Sequence, residues 1–234
     1  MSNLSALTAG TWNVDGSHST VEFSVRHLMI AKVRGRFTDI AGSVTVGADP
    51  LQSSVAATVR TASVSTNDDG RDGHLRSADF FDVAKYPTIT FKSTSVKEVA
   101  KGKLEVTGDF TLHGVTKRIT IPITNAGTQP GMQPGSVVAG FIDGAVTINR
   151  NDYGIKYGPG VLGDDVAISL NIEAGKKYKV AGWAPVAEEA RTAGNKMVWE
   201  VVEQWLKAQG GKVGARKLNA PKVSGVVPNP GYVA

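Results

Sequence analysis

The strongest constraint on how this chain folds is a series of short segments in which apolar and polar residues alternate. They occupy residues 19–27, 42–46, 54–60, 88–92, 103–112, 118–123, 137–149 and 165–172. In 19–27, Val21, Phe23 and Val25 alternate with Thr20, Glu22 and Ser24, so a strand there has one oily face and one wet face. The sets Val55/Ala57/Val59, Ile119/Ile121/Ile123 and Val166/Ile168/Leu170/Ile172 repeat the pattern. Gly, Asn and Asp clusters separate the segments, as at 67–70, 127–135 and 158–163. About eight such strands in antiparallel order suit a closed barrel, which leaves no exposed sheet edge. About eight strands also leave room inside for one small or slender ligand.

Residues 75–91 (LRSADFFDVAKYPTITF) indicate what that interior is for. Phe80 and Phe81 stand side by side in a turn-like connection that runs through Tyr86-Pro87 into a strand. Large aromatics on a connection are expected to plug or line something apolar. All seven phenylalanines (Phe23, Phe37, Phe80, Phe81, Phe91, Phe110 and Phe141) fall within the barrel portion. A greasy interior points to binding rather than catalysis, although for any single aliphatic residue ordinary core packing is the simpler role.

The text changes near residue 175. Residues 1–175 hold 16 Lys+Arg against 17 Asp+Glu, whereas 176–234 hold 10 against 4, so all the net basicity lies in the last quarter. No recognition motif or Arg/aromatic platform accompanies it, and nucleic acid is not an expected partner. Two domains are expected: a barrel at 1–175 and an appendage at 176–234. Within the appendage, 179–183 reads as a short strand and 197–208 as a helix. Met197, Val198, Val201, Val202, Trp205 and Leu206 form one stripe of that helix. Gly210-Gly211 ends it, and 212–234, with three prolines, reads as an extended arm.

Other features set bounds. The chain has no cysteine, hence no disulfide, no thiolate metal site and no clue to redox compartment. The opening MSNLSALTAGTW has no basic n-region or long apolar h-region, so no signal peptide is expected; the chain reads as cytoplasmic as it stands, or periplasmic if a leader was removed. No apolar run approaches the roughly 18 residues of a transmembrane helix.

A set of motifs then carries a resemblance. Trp12-x-Val14-Asp15-x-x-His18-Ser19, Phe23-Ser24-Val25-Arg26-His27 and Gly35-Arg36-Phe37 come first. His74-Leu75-Arg76-Ser77, Asp79-Phe80-Phe81-Asp82-Val83, Tyr86-Pro87 and Phe91 follow. Residues 108–115 (GDFTLHGV) and Asn149-Arg150-x-Asp152-Tyr153-Gly154 complete the order. Over residues 10–174 the chain resembles the YceI-like family. The resemblance implies an extended antiparallel lipocalin-like barrel whose long apolar pore holds polyisoprenoid chains, such as isoprenoid quinones or polyprenyl phosphates. The expected ligand contacts are Phe23, Val25, His27, Phe37, Phe80, Phe81, Phe91, Phe110, Phe141 and Ile148. Arg26, Arg150 and Tyr153 are the expected head-group contacts, since a mostly apolar pocket needs few orienting groups. For Arg150, Asp152 and Tyr153 an ion pair fixing the loop is the competing role.

No catalytic or metal constellation appears. His18, His27, His74 and His113 are widely spaced and form neither HxH nor HExxH, so no metal is expected, and structural roles suit most of them. There is no nucleophile elbow, phosphate-cradling loop or paired-carboxylate signature. The tail, through Tyr178 to Ala184, the helix, and Asn229-Pro230-Gly231, resembles the C-terminal end of the sulfur-oxidation branch of 5′-nucleotidase-like metallophosphoesterases. The metal-ligand motifs of that family are absent here, so none of its chemistry is carried over. The expectation is a non-catalytic carrier of an isoprenoid lipid with no cofactor, fused to a tail. The tail helix is expected to pack on the barrel, or else to engage a protein partner or a second copy. The alternative is a protein–protein adaptor in a sulfur-oxidation or respiratory system, with the barrel as scaffold.

Overall fold

A computed structural model describes residues 7–133 and 135–177, and the chain divides into two units, Met1–Lys177 and Tyr178–Ala234. The strand, helix and arm expected in the tail lie outside the described residues. The first unit is built from β1 (Gly10–Val14), β2 (Thr20–His27), β3 (Ala31–Phe37), β4 (Ile40–Val46), β5 (Ser54–Arg60) and β6 (Val64–Ser65). After the helix α1 (Asp69–Arg76) come β7 (Thr88–Ala100), β8 (Lys103–Leu112), β9 (Val115–Pro130), β10 (Ser136–Asn149) and β11 (Leu162–Lys177).

These eleven segments make eight barrel staves, because three staves are broken. β1 and β2 are two halves of the first, both pairing with β11; β4 and β3 form the second, and β5 and β6 the third. Every neighbouring pair is antiparallel, and β1–β11 closes the ring. The eight-stave antiparallel barrel expected from the alternation, and the lipocalin-like form implied by the resemblance, are what forms. The alternation does not mark β1, β3 or the two-residue β6. It also ends β9 near residue 123, whereas that strand runs to Pro130. In Ala31–Phe37 the outward positions are Lys32, Arg34 and Arg36, and the inward ones include Gly35, so apolar alternation is weak there. Gly35 faces Phe23 across the strand pair, and a Cβ at Gly35 would run into the Phe23 ring, so the small residue makes room for the aromatic.

The breaks are sealed by polar groups. At the first, Asp15 donates its backbone N–H to the Glu173 carbonyl at 2.9 Å, and the Ser19 hydroxyl exchanges hydrogen bonds with the Glu173 backbone. α1 carries no apolar stripe (its sequence is DGRDGHLR), and the sequence reading left it as a turn cluster; tertiary bonds explain it. Asp68 caps it by accepting from the Arg71 N–H. The buried Asp72 accepts from the Thr66 amide and hydroxyl, and Arg76 donates to the Ala62 and Val64 carbonyls. Burial raises the Asp72 carboxyl, but those bonds and the charges of Arg76 and Arg71 outweigh it, leaving its pKa below the ordinary value.

Inward residues form two stacked apolar clusters, one around Trp12, Leu104 and Phe141 and one around Phe37, Phe110 and Tyr153. The upper end of the barrel, as named here, carries the connections 28–30, 66–87, 113–114 and 150–161; the lower end carries 47–53, 101–102 and 131–135. Among the described residues, no helix is long and apolar enough to cross a membrane.

Candidate functional site

The inward faces do not fill the barrel. They enclose a cavity of about 260 Å³ running between the two clusters. Of its lining residues only Glu22, Ser53, Thr90 and Arg150 are not apolar. The oily rows Val55/Ala57/Val59, Ile119/Ile121/Ile123 and Val166/Ile168/Leu170/Ile172 all line it, where the sequence reading gave them ordinary packing. The signal for this was the alternation itself, which marks the inward face but says nothing about whether that face meets another side chain or an empty space.

Nine of the ten expected ligand-contact residues line the cavity: Phe23, Val25, Phe37, Phe80, Phe81, Phe91, Phe110, Phe141 and Ile148. Phe37 stands 5.7 Å from Phe23 and 5.5 Å from Phe81, ring centre to ring centre, so the three make one aromatic step at the upper end. Phe80 packs against His74 at 5.0 Å and Tyr157 at 5.1 Å, and His74 is held by Asp79 at 2.8 Å. The connection carrying Phe80 and Phe81 binds to itself: Phe81 N–H donates to the Leu75 carbonyl, and Asp82 and Tyr86 N–H donate to those of Ser77 and Asp82. His27, the tenth, is half-buried at the end of β2, opposite Ala31 and Leu162, and is not among the lining residues.

The expected head-group residues are scattered. Arg26 is exposed on the outward side of β2. Tyr153 is buried, edge-on to Phe110 at 5.6 Å; burial first and Asp152 second push its phenol pKa up. Arg150 alone faces the cavity, yet it is 4% exposed and all its donors are engaged. Nε donates to the Gly163 carbonyl (3.0 Å), Nη1 to those of Ile155 and Tyr157 (3.0 and 2.7 Å), and Nη2 to Leu162 (3.3 Å) and the Asp164 carboxylate (3.4 Å). Arg150 therefore staples the 155–164 connection over the upper end. Its carboxylate partner is Asp164; Asp152 pairs instead with Lys117 at 2.8 Å.

Two polar clusters were not legible from local spacing. Asp15, His18 and Glu173 bring one ligand atom each within 4.8 Å of one another, although Glu173 lies on a distant strand. Asp15 accepts from the Ser17 hydroxyl and amide and pairs with His18 Nδ1 at 3.0 Å, so the trio latches the break in the first stave. The Ser17 hydroxyl first and His18 second hold the Asp15 carboxyl well below the usual carboxylate range, and the bond to Asp15 raises His18. His113 faces the Tyr153 carbonyl with Nδ1 at 3.1 Å and packs on Tyr86 at 4.3 Å. The sequence reading also overlooked the exposed apolar residues Leu28, Met29, Ile30, Tyr157 and Val161 at the upper rim. Their signal was three consecutive apolar residues at a hairpin tip, where polar residues are the rule.

Comparison with known proteins agrees with this geometry. The chain is 42% identical over 165 residues to a UPF0312 protein of Pseudomonas savastanoi pv. phaseolicola, covering 70% of this chain and 84% of the relative. It is 41% identical over 160 residues to another from Ectopseudomonas mendocina, covering 68% and 82%. Among solved structures it is similar to BcnA of Burkholderia cenocepacia, with a TM-score of 0.60, 27% identity, and 68% and 98% of the two chains covered. A Campylobacter jejuni YceI protein matches with a TM-score of 0.58, 29% identity, and 65% and 90% covered. A polyisoprenoid binding domain from Saccharophagus degradans, 17% identical with a TM-score of 0.55 over 71% and 98%, shares the fold. The YceI-like domain model matches residues 12–174, and the likeness of the tail to the metallophosphoesterases stands unsupported. Through that match and the identity to its relatives, this chain belongs to the YceI-like family.

Proposed function

We propose that the barrel binds a long apolar isoprenoid lipid, of the isoprenoid quinone or polyprenyl phosphate type, and stores or carries it without catalysis. One observation carries this reading: a closed barrel encloses a cavity lined almost entirely by apolar side chains. Apolar space that water occupies poorly is stabilised by an apolar guest, at about 25 cal/mol per Å² of surface buried. A flexible prenyl chain fits a long bore, and the solved Saccharophagus degradans relative of the same fold is described as polyisoprenoid-binding. In this reading Phe23, Val25, Phe37, Phe80, Phe81, Phe91, Phe110, Phe141 and Ile148 meet the chain. The head lies at the upper end, where Arg150 is the cation facing the cavity and where His27 ends β2. Binding belongs to residues 1–175, with 176–234 as an appendage.

Organic extraction of the purified chain followed by mass spectrometry tests the reading. A stoichiometric isoprenoid is expected, and its yield falls strongly in folded Phe80→Asp and Phe91→Asp proteins, because each places a charge against the lipid. An empty barrel that takes up no added polyprenyl lipid would sink the proposal and favour the adaptor alternative.

A further inference from the structure

The β2–β3 hairpin ends in Leu28, Met29 and Ile30, whose exposures are 51%, 61% and 87%. Leu28 and Met29 both have positive φ, +49° and +61°, the signs of a type I′ turn that favours Asn-Gly. Holding large side chains in that conformation costs on the order of 1–2 kcal/mol per residue. The tip is thus apolar in spite of both solvent and backbone. Leu28 N–H donates to the Val161 carbonyl at 2.7 Å, placing the exposed Val161 and Tyr157 beside it. Leu162, next in the chain, lines the cavity, and the Tyr157 ring lies on Phe80, which also lines it.

Behind the tip, the outward face of the hairpin is basic. Arg26 pairs across the ladder with Lys32, Ser24 with Arg34, and Glu22 with Arg36. None of Arg26, Lys32, Arg34 and Arg36 forms an ion pair with a carboxylate among the described residues. Lys156 adds a further exposed cation, and Glu22, Asp164 and Asp165 are the acids nearby. An apolar tip set in front of a cationic band matches a lipid surface, where acyl chains lie beneath phosphates. A protein partner fits less well, since a stable interface needs roughly 800 Å² on each side and a three-residue tip offers far less.

We infer that the β2–β3 tip, with Tyr157 and Val161, docks the barrel onto an anionic membrane and sets the upper mouth of the cavity against the bilayer. The surface lies outside the cavity, and its test does not depend on what the cavity holds.

The experiment is flotation of the full chain with vesicles of phosphatidylcholine alone or with about 30% phosphatidylglycerol. The tail is the same in every variant, so differences report the tip. The wild type floats with the anionic vesicles. Leu28→Asn/Met29→Gly lowers partitioning by about tenfold or more, because the apolar tip is gone while the turn is now well suited to its backbone. A raised melting temperature for that variant shows that the loss is not unfolding. Lys32→Glu/Arg34→Glu also lowers partitioning and flattens its salt dependence. Phe91→Asp, which alters the cavity, leaves flotation unchanged, so failure of the cavity reading and failure of this one are separable. Absence of wild-type flotation, or equal flotation of the turn variant, overturns the inference. So does self-association of the wild type that the turn variant abolishes without any vesicle binding, which would make the tip a contact between copies.

Discussion

Two hairpin turns at the upper end of the barrel share a backbone and little else. In the β8–β9 turn, His113 and Gly114 have φ of +51° and +75°; in the β2–β3 turn, Leu28 and Met29 have +49° and +61°. The first turn suits its conformation. Glycine takes the second position at no steric cost, Tyr86 lies close above it, and His113 is tied to the Tyr153 carbonyl. The second has no glycine and points apolar side chains into solvent. Residues that serve the backbone are there for the fold. Residues that oppose both backbone and solvent are there for something outside the chain.

The contrast can be broken from its support downward. The largest effect is expected for Arg150→Met, which leaves four backbone carbonyls of the 155–164 connection without their donor. Loss of roughly 3–5 kcal/mol is expected in chemical denaturation, with the connection beside the apolar tip exchanging its amide hydrogens first. Gly114→Val comes next. A Cβ there sits 2.6 Å from the Tyr86 ring, and φ of +75° is hostile to a β-branched residue. About 2–4 kcal/mol should be lost, read as a lower denaturation midpoint with an unchanged slope.

The same kind of change has the opposite sign in the other turn. Leu28→Asn/Met29→Gly should stabilise by about 1–2 kcal/mol, because it relieves backbone strain at two residues that are each more than half exposed. A midpoint equal to or below the wild type would show that the apolar turn packs after all, and the comparison would fail.

The smallest expected effect concerns the Asp15–His18 latch, away from both turns. The folded pKa of His18 lies above its ordinary 6.5, so its contribution is fully present below that value and fades as pH rises through the raised one. The folded pKa of Asp15 is depressed, so its contribution is present above 3.8 and is lost as pH falls through the lowered one. The stability advantage of the wild type over His18→Gln should therefore be greatest between about pH 4 and pH 6.5 and should shrink toward pH 9. Melting curves across that range measure it, and a flat difference would show that the latch works by shape rather than charge.

Particular elements show how far the sequence could be read. The strands of Val21/Phe23/Val25 and Ile119/Ile121/Ile123 were legible because strand geometry sends alternate residues to opposite faces, whatever surrounds them. β3 was hidden because its inward row includes Gly35, chosen for the Phe23 ring on another strand. α1 was hidden because Asp72, Arg71 and Arg76 hold it through bonds to Thr66, Ala62 and Val64, not through any period of its own. In the cavity the aromatics were legible as a class. Arg150 reads in sequence as a head-group contact or, the better of the two, a loop fastener, and the partners of its five donors decide for the fastener.

The all-β class, the stave count, the family and the inward rows of the clearly alternating strands follow from the sequence, because these rest on local periodicity and short motifs. Folding adds that the inward rows enclose space instead of meeting, that Glu173 completes the latch at the first break, and that an apolar tip stands beside the mouth. Each of these depends on the distance between residues far apart in the chain. Ring closure sets that distance, and no window of the sequence contains it.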